Sequence, residues 1–246
     1  MKILLHTIID IKDSHNMDHF QEEFTSWLEK NNWEGSSGNP VAVPDVPIDK
    51  IRLGTGTSVF HSDYVGEDSS DEARKRYFLS RTWDSSLPTM TTFMMNPSSA
   101  DELTGDNTVN FMSKYAKYNG FGTLFVVNTS PLIKGSNTND EDFLLDVEGF
   151  SFIEHALTHS ESVILGWGEN GQRFGIPKII NHFPFIHLLQ TNRHKLKVFG
   201  YGKKNTNQMY PKHPHPQKVS HRFSVDHELI HVTDDDVNKL FGKYLT

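Results

Sequence analysis

The chain has 246 residues, 36% of them hydrophobic, with no cysteine and a net charge of −7. That length and composition fit one large α/β domain, or one domain with an extension, built round a packed core; the lack of cysteine excludes a disulfide framework, thiolate metal sites and a cysteine nucleophile. The acidic total argues against a nucleic-acid partner, but the stretch from Asn170 to Val225 holds ten Lys or Arg and no Asp or Glu, which either gives one face a positive potential or balances acidic helices elsewhere.

The N-terminal apolar run Ile3–Ile11 is broken by His6 and Asp10, is too short to span a bilayer and lacks a small-residue cleavage site. It reads as a buried strand of a cytoplasmic protein. Asp18 to Lys30 reads as a helix, with Phe20, Phe24, Trp27 and Leu28 on one face and a capping box from Asp18 and Gln21. A Gly/Ser/Pro-rich loop and an acidic stretch follow, and Gly54-Thr55-Gly56 reads as a turn. These features place an N-terminal extension packed on the core over residues 1–75 and the main domain over 76–246.

From Arg76 onward short apolar runs alternate with helix-length segments. Strands are expected at Thr91–Met95, Thr123–Val127, Ser162–Gly166 and Val198–Tyr201. Helices are expected at Val109–Tyr118, within Asp140–His159, and near Gly171–His182. This alternation predicts a three-layer α/β/α domain around a short, mainly parallel sheet. Ligands of such sheets bind beyond the carboxyl ends of the strands, and the conspicuous polar residues fall there.

Four segments carry these residues. In Met94-Met95-Asn96-Pro97-Ser98-Ser99-Ala100, the proline ends the strand and displays Asn96; an Asn-Pro turn is the plain alternative. In Phe125-Val126-Val127-Asn128-Thr129-Ser130-Pro131-Leu132, an amide follows a buried apolar strand, where it must find partners. It offers a donor pair and an acceptor, suited to a base edge or to capping its own loop. In Val163-Ile164-Leu165-Gly166-Trp167-Gly168, small residues flank a tryptophan expected in the core. In Lys212-His213-Pro214-His215-Pro216-Gln217-Lys218, followed by Arg222, alternating His and Pro make a stiff loop that displays imidazoles beside cations suited to phosphate. A histidine metal site is the alternative there, without an accompanying HExxH helix. His155 and His159, spaced i, i+4, read as solvated.

In order and spacing these segments, over Arg76 to Phe223, resemble the uracil-DNA glycosylase superfamily. They also resemble a bacterial and phage family with Asn-Pro-Ser, Trp-Gly and His-Pro motifs. The resemblance implies a monofunctional DNA N-glycosylase that flips a base and hydrolyses its glycosidic bond, with no cofactor or metal. Asn96 would position the attacking water, and His213 would donate to the departing base. Asn128 would read the base edge, with Ser98, Ser99, His215 and Phe111 lining its pocket. Lys212, Gln217, Lys218 and Arg222 would meet DNA, Gln217 standing where a Leu wedge is usual. The implied partner is DNA, phage or damaged duplex, with no membrane and a monomeric enzyme.

Uracil-specific members carry a bulky Tyr after the Pro of the first motif. Ser98 stands there, which leaves space for a C5 substituent. The expected substrate is a C5-modified pyrimidine, such as glucosylated 5-hydroxymethylcytosine of phage DNA, and the expected role antiviral defence. A uracil-excising repair enzyme, a nucleotide- or base-modifying enzyme and a non-catalytic DNA-binding module on the same fold are the alternatives.

Overall fold

The computed structural model describes residues 2–6, 26, 30, 55–61, 63–64, 69–70, 73–97, 106–134, 138–203, 209–216 and 218–244. The chain divides into two compact units, Met1–His6 with Gly54–Thr246 and Thr7–Leu53. In the second, Ser26 and Lys30 are helical, inside the helix expected there; the rest of that expectation lies outside the described residues. The first unit includes strands that precede Arg76.

Ten strands are described: β1 Lys2–His6, β2 Thr55–Phe60, β3 Arg76–Thr82, β4 Thr89–Met94, β5 Thr123–Asn128, β6 Ser162–Leu165, β7 Leu196–Val198, β8 Tyr201–Lys203, β9 Met209–Pro211 and β10 Ile230–His231. Eight form one sheet in the order β1-β2-β3-β5-β4-β6-β7-β10, and β8 pairs with β9. The four central strands β5, β4, β6 and β7 are parallel. Both flanks are antiparallel, so the expected parallel arrangement holds at the centre of the sheet and gives way at its sides. The reason lies in chain length. Only residues 83–88 separate β3 from β4, too few for the crossover that parallel strands need, so the chain reverses. β5 then fits between the two.

Helices cover both faces. α1 (Asn107–Tyr118) buries Val109, Met112, Tyr115 and Ala116 against Met90, Met94, Leu124 and Ile164. On the other face α2 (Val147–Thr158), α3 (Ile176–His182), α4 (Phe185–Thr191) and α5 (Asp234–Phe241) pack on Phe93, Val127, Val163 and Leu165. Alternate residues of β4 are thus buried on opposite faces, as a strand covered on both sides requires.

Caps fix where the helices start. Asp106 accepts from Val109 N at 2.6 Å and begins α1. Asp146 accepts from Gly149 N at 2.9 Å and begins α2, and it also accepts from Lys75 Nζ at 3.0 Å and Tyr77 Oη at 2.9 Å, which fastens α2 to β3. Although burial opposes it, these donors hold the Asp146 carboxyl below its ordinary range. Burial and the neighbouring carboxylate push the Tyr77 phenol well up.

Two local expectations are corrected. Thr55 and Gly56 open β2 in place of a turn, with Gly56 opposite both His6 and Arg81. The strand expected at Val198–Tyr201 is broken, because Gly200 takes a φ of 154° and sends β7 and β8 to different sheets. No helix among the described residues is long and apolar enough to cross a membrane.

Candidate functional site

The carboxyl ends of β4, β5 and β6 lie side by side, since Met94 is opposite Asn128 and Phe93 opposite Leu165. β4 also lies where the topology switches: the chain leaves it through α1 to β5 on one side, then returns to β6 on the other. The crevice at such a reversal is where open α/β sheets bind ligands.

The loops leaving β4 and β5 are laced together. Thr129 N donates to Met94 O at 2.9 Å, Ser130 N to Met95 O at 3.0 Å and Lys134 N to Pro97 O at 3.0 Å. Asn96 belongs to this lacing: its Nδ2 donates to Pro97 O at 3.1 Å and to Lys134 O. The amide placed by sequence as a water holder therefore has its NH₂ group committed to two backbone carbonyls.

Asn128 is different. It is 4% exposed, and among the described residues neither Oδ1 nor Nδ2 has a hydrogen-bond partner. Buried amides are almost always satisfied, so this one calls for a partner: a water, an ion or the polar edge of a ligand. Beside it the turn Gly171–Gly175 is π-helical. A Cβ added at Gly175 would stand 2.7 Å from Thr129 Cβ, so only glycine lets that turn close on the β5 exit. π-Turns inside helices recur at functional sites.

The His-Pro loop sits against the exit of β6. A Cβ at Gly166 would stand 2.7 Å from Pro214 Cδ, and one at Gly168 3.8 Å from His213 Cβ. Trp167 is fully buried, as expected, and its Nε1 donates to Gln172 Oε1 at 2.8 Å. The backbone N–H of His215 donates to His213 Nδ1 at 3.2 Å. A neutral His213 ring therefore carries its proton on Nε2 and presents a donor there. Burial pushes the pKa of His213 down to about 4, with Asp106 pulling it up and His215 pushing it down. The neutral donor form is the one present at physiological pH.

Phe111 reaches the same loop from α1, its ring centroid 5.9 Å from that of His215. Lys212, Lys218 and Arg222 are exposed, and Arg222 Nε donates to Pro216 O at 3.3 Å. Ser98, Ser99 and Gln217 lie outside the described residues.

The basic stretch is less uniform than its composition. Lys195 is buried and donates to Thr158 O at 3.0 Å. Lys178 pairs with Asp140 at 3.3 Å and Arg193 with Asp234. The exposed cations of the stretch include Arg173 and Lys203 as well as those of the His-Pro segment. Two further residues escaped the sequence reading: Gln172, which anchors Trp167, and Asp106. The second had a signal, a short acidic residue ahead of an apolar-periodic helix. Among the described residues no group of three or more His, Asp or Glu is placed to hold a metal ion.

A family model described as "Protein of unknown function (DUF1643)" matches residues 76–215, more than half of the chain, and the chain belongs to that family. The matched stretch begins where the sequence pattern changes and ends within the His-Pro loop, so it contains Asn96, Asn128, the Gly-Trp-Gly turn and His213. No curated protein and no solved structure matches the chain.

Proposed function

We propose that this DUF1643 protein is a monofunctional DNA glycosylase. It takes a pyrimidine out of the helix, hydrolyses its N-glycosidic bond and leaves an abasic site. The observation that carries the reading is Asn128, a buried amide whose two polar atoms have no partner among the described residues, at the carboxyl end of a central strand. A flipped base supplies the complementary donor and acceptor that would repay its desolvation.

His213 supports the same reading. A neutral imidazole with its proton on Nε2 donates to an oxygen without giving up a charge, and strengthens that bond as the departing base gains negative charge. Asn96 serves water positioning only through its carbonyl oxygen, and it ties the loops together in any case. Lys212, Lys218 and Arg222 contribute phosphate contacts around the opening.

The choice of base rests on sequence. The small Ser98 and Ser99 after Pro97 favour a C5-modified pyrimidine, with glucosylated 5-hydroxymethylcytosine of phage DNA the specific substrate and antiviral defence the role. The test incubates the full chain with uracil-containing, unmodified and glucosyl-hydroxymethylcytosine DNA and reads alkali-labile sites on a gel. Cleavage of the modified DNA is expected. Cleavage of uracil DNA alone replaces the substrate with uracil and keeps the reaction, and no cleavage of any substrate overturns the reading.

A further inference from the structure

The turn Gly171–Gly175 links the exits of β5 and β6. At its far end Gly175 lies on Thr129, the residue after Asn128. At its near end a Cβ on Gly171 would stand 2.7 Å from Trp167 Cβ, so the turn closes on both exits. Trp167 is flanked in turn by Gly166 and Gly168, the residues on which Pro214 and His213 rest. The turn is thus a spacer, with Asn128 behind one end and the His-Pro loop behind the other.

Gln172 is the side chain that orients this spacer. It is buried, and its amide is used on both sides. Oε1 accepts from Trp167 Nε1 at 2.8 Å, and Nε2 donates to Leu240 O, near the end of α5, at 3.0 Å. Apolar packing also holds Trp167, which stands edge-on to Phe93 with ring centroids 5.2 Å apart and tilted to Phe241 at 6.2 Å. Packing of that kind is non-directional, whereas a buried and fully paired hydrogen bond selects one orientation of the indole. A methionine would fill a similar volume at position 172, so the amide supplies direction and not bulk.

We infer that Gln172 is a positioning residue of this site: through Trp167 it fixes the turn that seats the His-Pro loop relative to the strand exit that carries Asn128. The inference rests on the glycosylase reading only for what the site is used for. Gln172 acts through its neighbours, by keeping Asn128 and His213 in one geometry, and a misplacement of about 1 Å from a distant change costs up to ~100-fold in rate. Its bond to Leu240 O brings α5 into the same arrangement, since the C-terminal helix and the β6 exit share one side chain.

The experiment compares full-length wild type, Gln172→Met, Trp167→Phe and the double variant. Each single change breaks the bond between Trp167 and Gln172 from one side. Base release should fall about 10-fold in kcat with KM little changed in either single variant, and hardly further in the double variant, because one bond is lost in all three. Proton NMR of the imidazole Cε1–H signals reads the geometry without turnover. The His213 signal should shift in Gln172→Met, a change that adds and removes no ring. An unchanged His213 signal in Gln172→Met overturns the inference, and so do rate losses that multiply in the double variant. If Gln172→Met does not fold, Trp167→Phe breaks the same bond, and a wild-type kcat there overturns the inference. If the wild type releases no base, the glycosylase reading fails, and the His213 signal still decides the role of Gln172.

Discussion

β4 and β5 run side by side, and the chain leaving each displays an asparagine at the same edge of the sheet. The two amides have opposite fates. Asn96 gives both of its N–H groups to backbone carbonyls and closes a loop. Asn128, deeper and 4% exposed, exchanges no hydrogen bond among the described residues. The first is an ordinary use of asparagine after a strand. The second leaves polar atoms out of water without return, at a cost of about 1–3 kcal/mol by general experience. An amide of the first kind stabilises the free protein; the second is the one the proposed function assigns to a base edge.

The sharpest break in this comparison is Asn128→Leu, a swap of similar volume. Base release should drop at least ~100-fold, because the base edge loses its reader, while the thermal midpoint holds or rises as the unpaired amide disappears. A midpoint that falls as far as in Asn96→Ala would mean that the two amides do the same job. His213→Ala should lose about 100-fold in kcat, as removal of an oxyanion donor does elsewhere. Single-turnover base release from an oligonucleotide checks both.

Stability separates the amides next. Asn96→Ala should destabilise by about 1–3 kcal/mol, since it strands the carbonyls of Pro97 and Lys134, and urea unfolding measures it. His213 adds a pH dependence of comparable size. Its folded pKa is about 4 against an ordinary 6.5. Between those values the unfolded chain takes up a proton that the folded chain refuses. The stability it contributes is whole above pH 6.5 and lost as pH falls through 4, up to about 3 kcal/mol. His213→Asn should flatten that part of the stability profile.

The smallest effect sits at the rim. Replacing Lys212, Lys218 and Arg222 together with Ala should weaken binding of all DNA sequences alike and reduce the salt slope by roughly three charges' worth. Fluorescence anisotropy at several salt concentrations reads the slope; an unchanged slope places the DNA footprint elsewhere.

Much of the central sheet was legible because its strands are short apolar runs separated by helices of clear period. Thr91–Met95, Thr123–Val127 and Ser162–Gly166 each match an observed strand to within two residues at either end. The flanks were not legible. β2 opens on Thr-Gly-Thr-Ser, a turn-like composition that pairing with two neighbours overrides. β10 is two residues long and exists only through its register with β7. At the site, residue type and strand position singled out Asn96 and Asn128, but nothing local distinguishes them. Which amide is satisfied depends on carbonyls up to 38 residues away.

The pairing of β1 with β2 bears on how this chain was assembled. His6 stands opposite Gly56, so the chain leaves the sheet at one point and is back at the same point after the segment 7–53. That is the connectivity of a hairpin whose turn has been replaced by a cassette. A sheet edge accepts such a cassette at modest entropic cost, because closing a longer loop costs only about 0.6 kcal/mol per doubling of its length. A two-residue Asn-Gly turn joining His6 to Thr55 should accordingly restore a plain hairpin. The segment is then a place where this scaffold can gain, lose or exchange a module while the strand ends that carry Asn128 and His213 stay where they are.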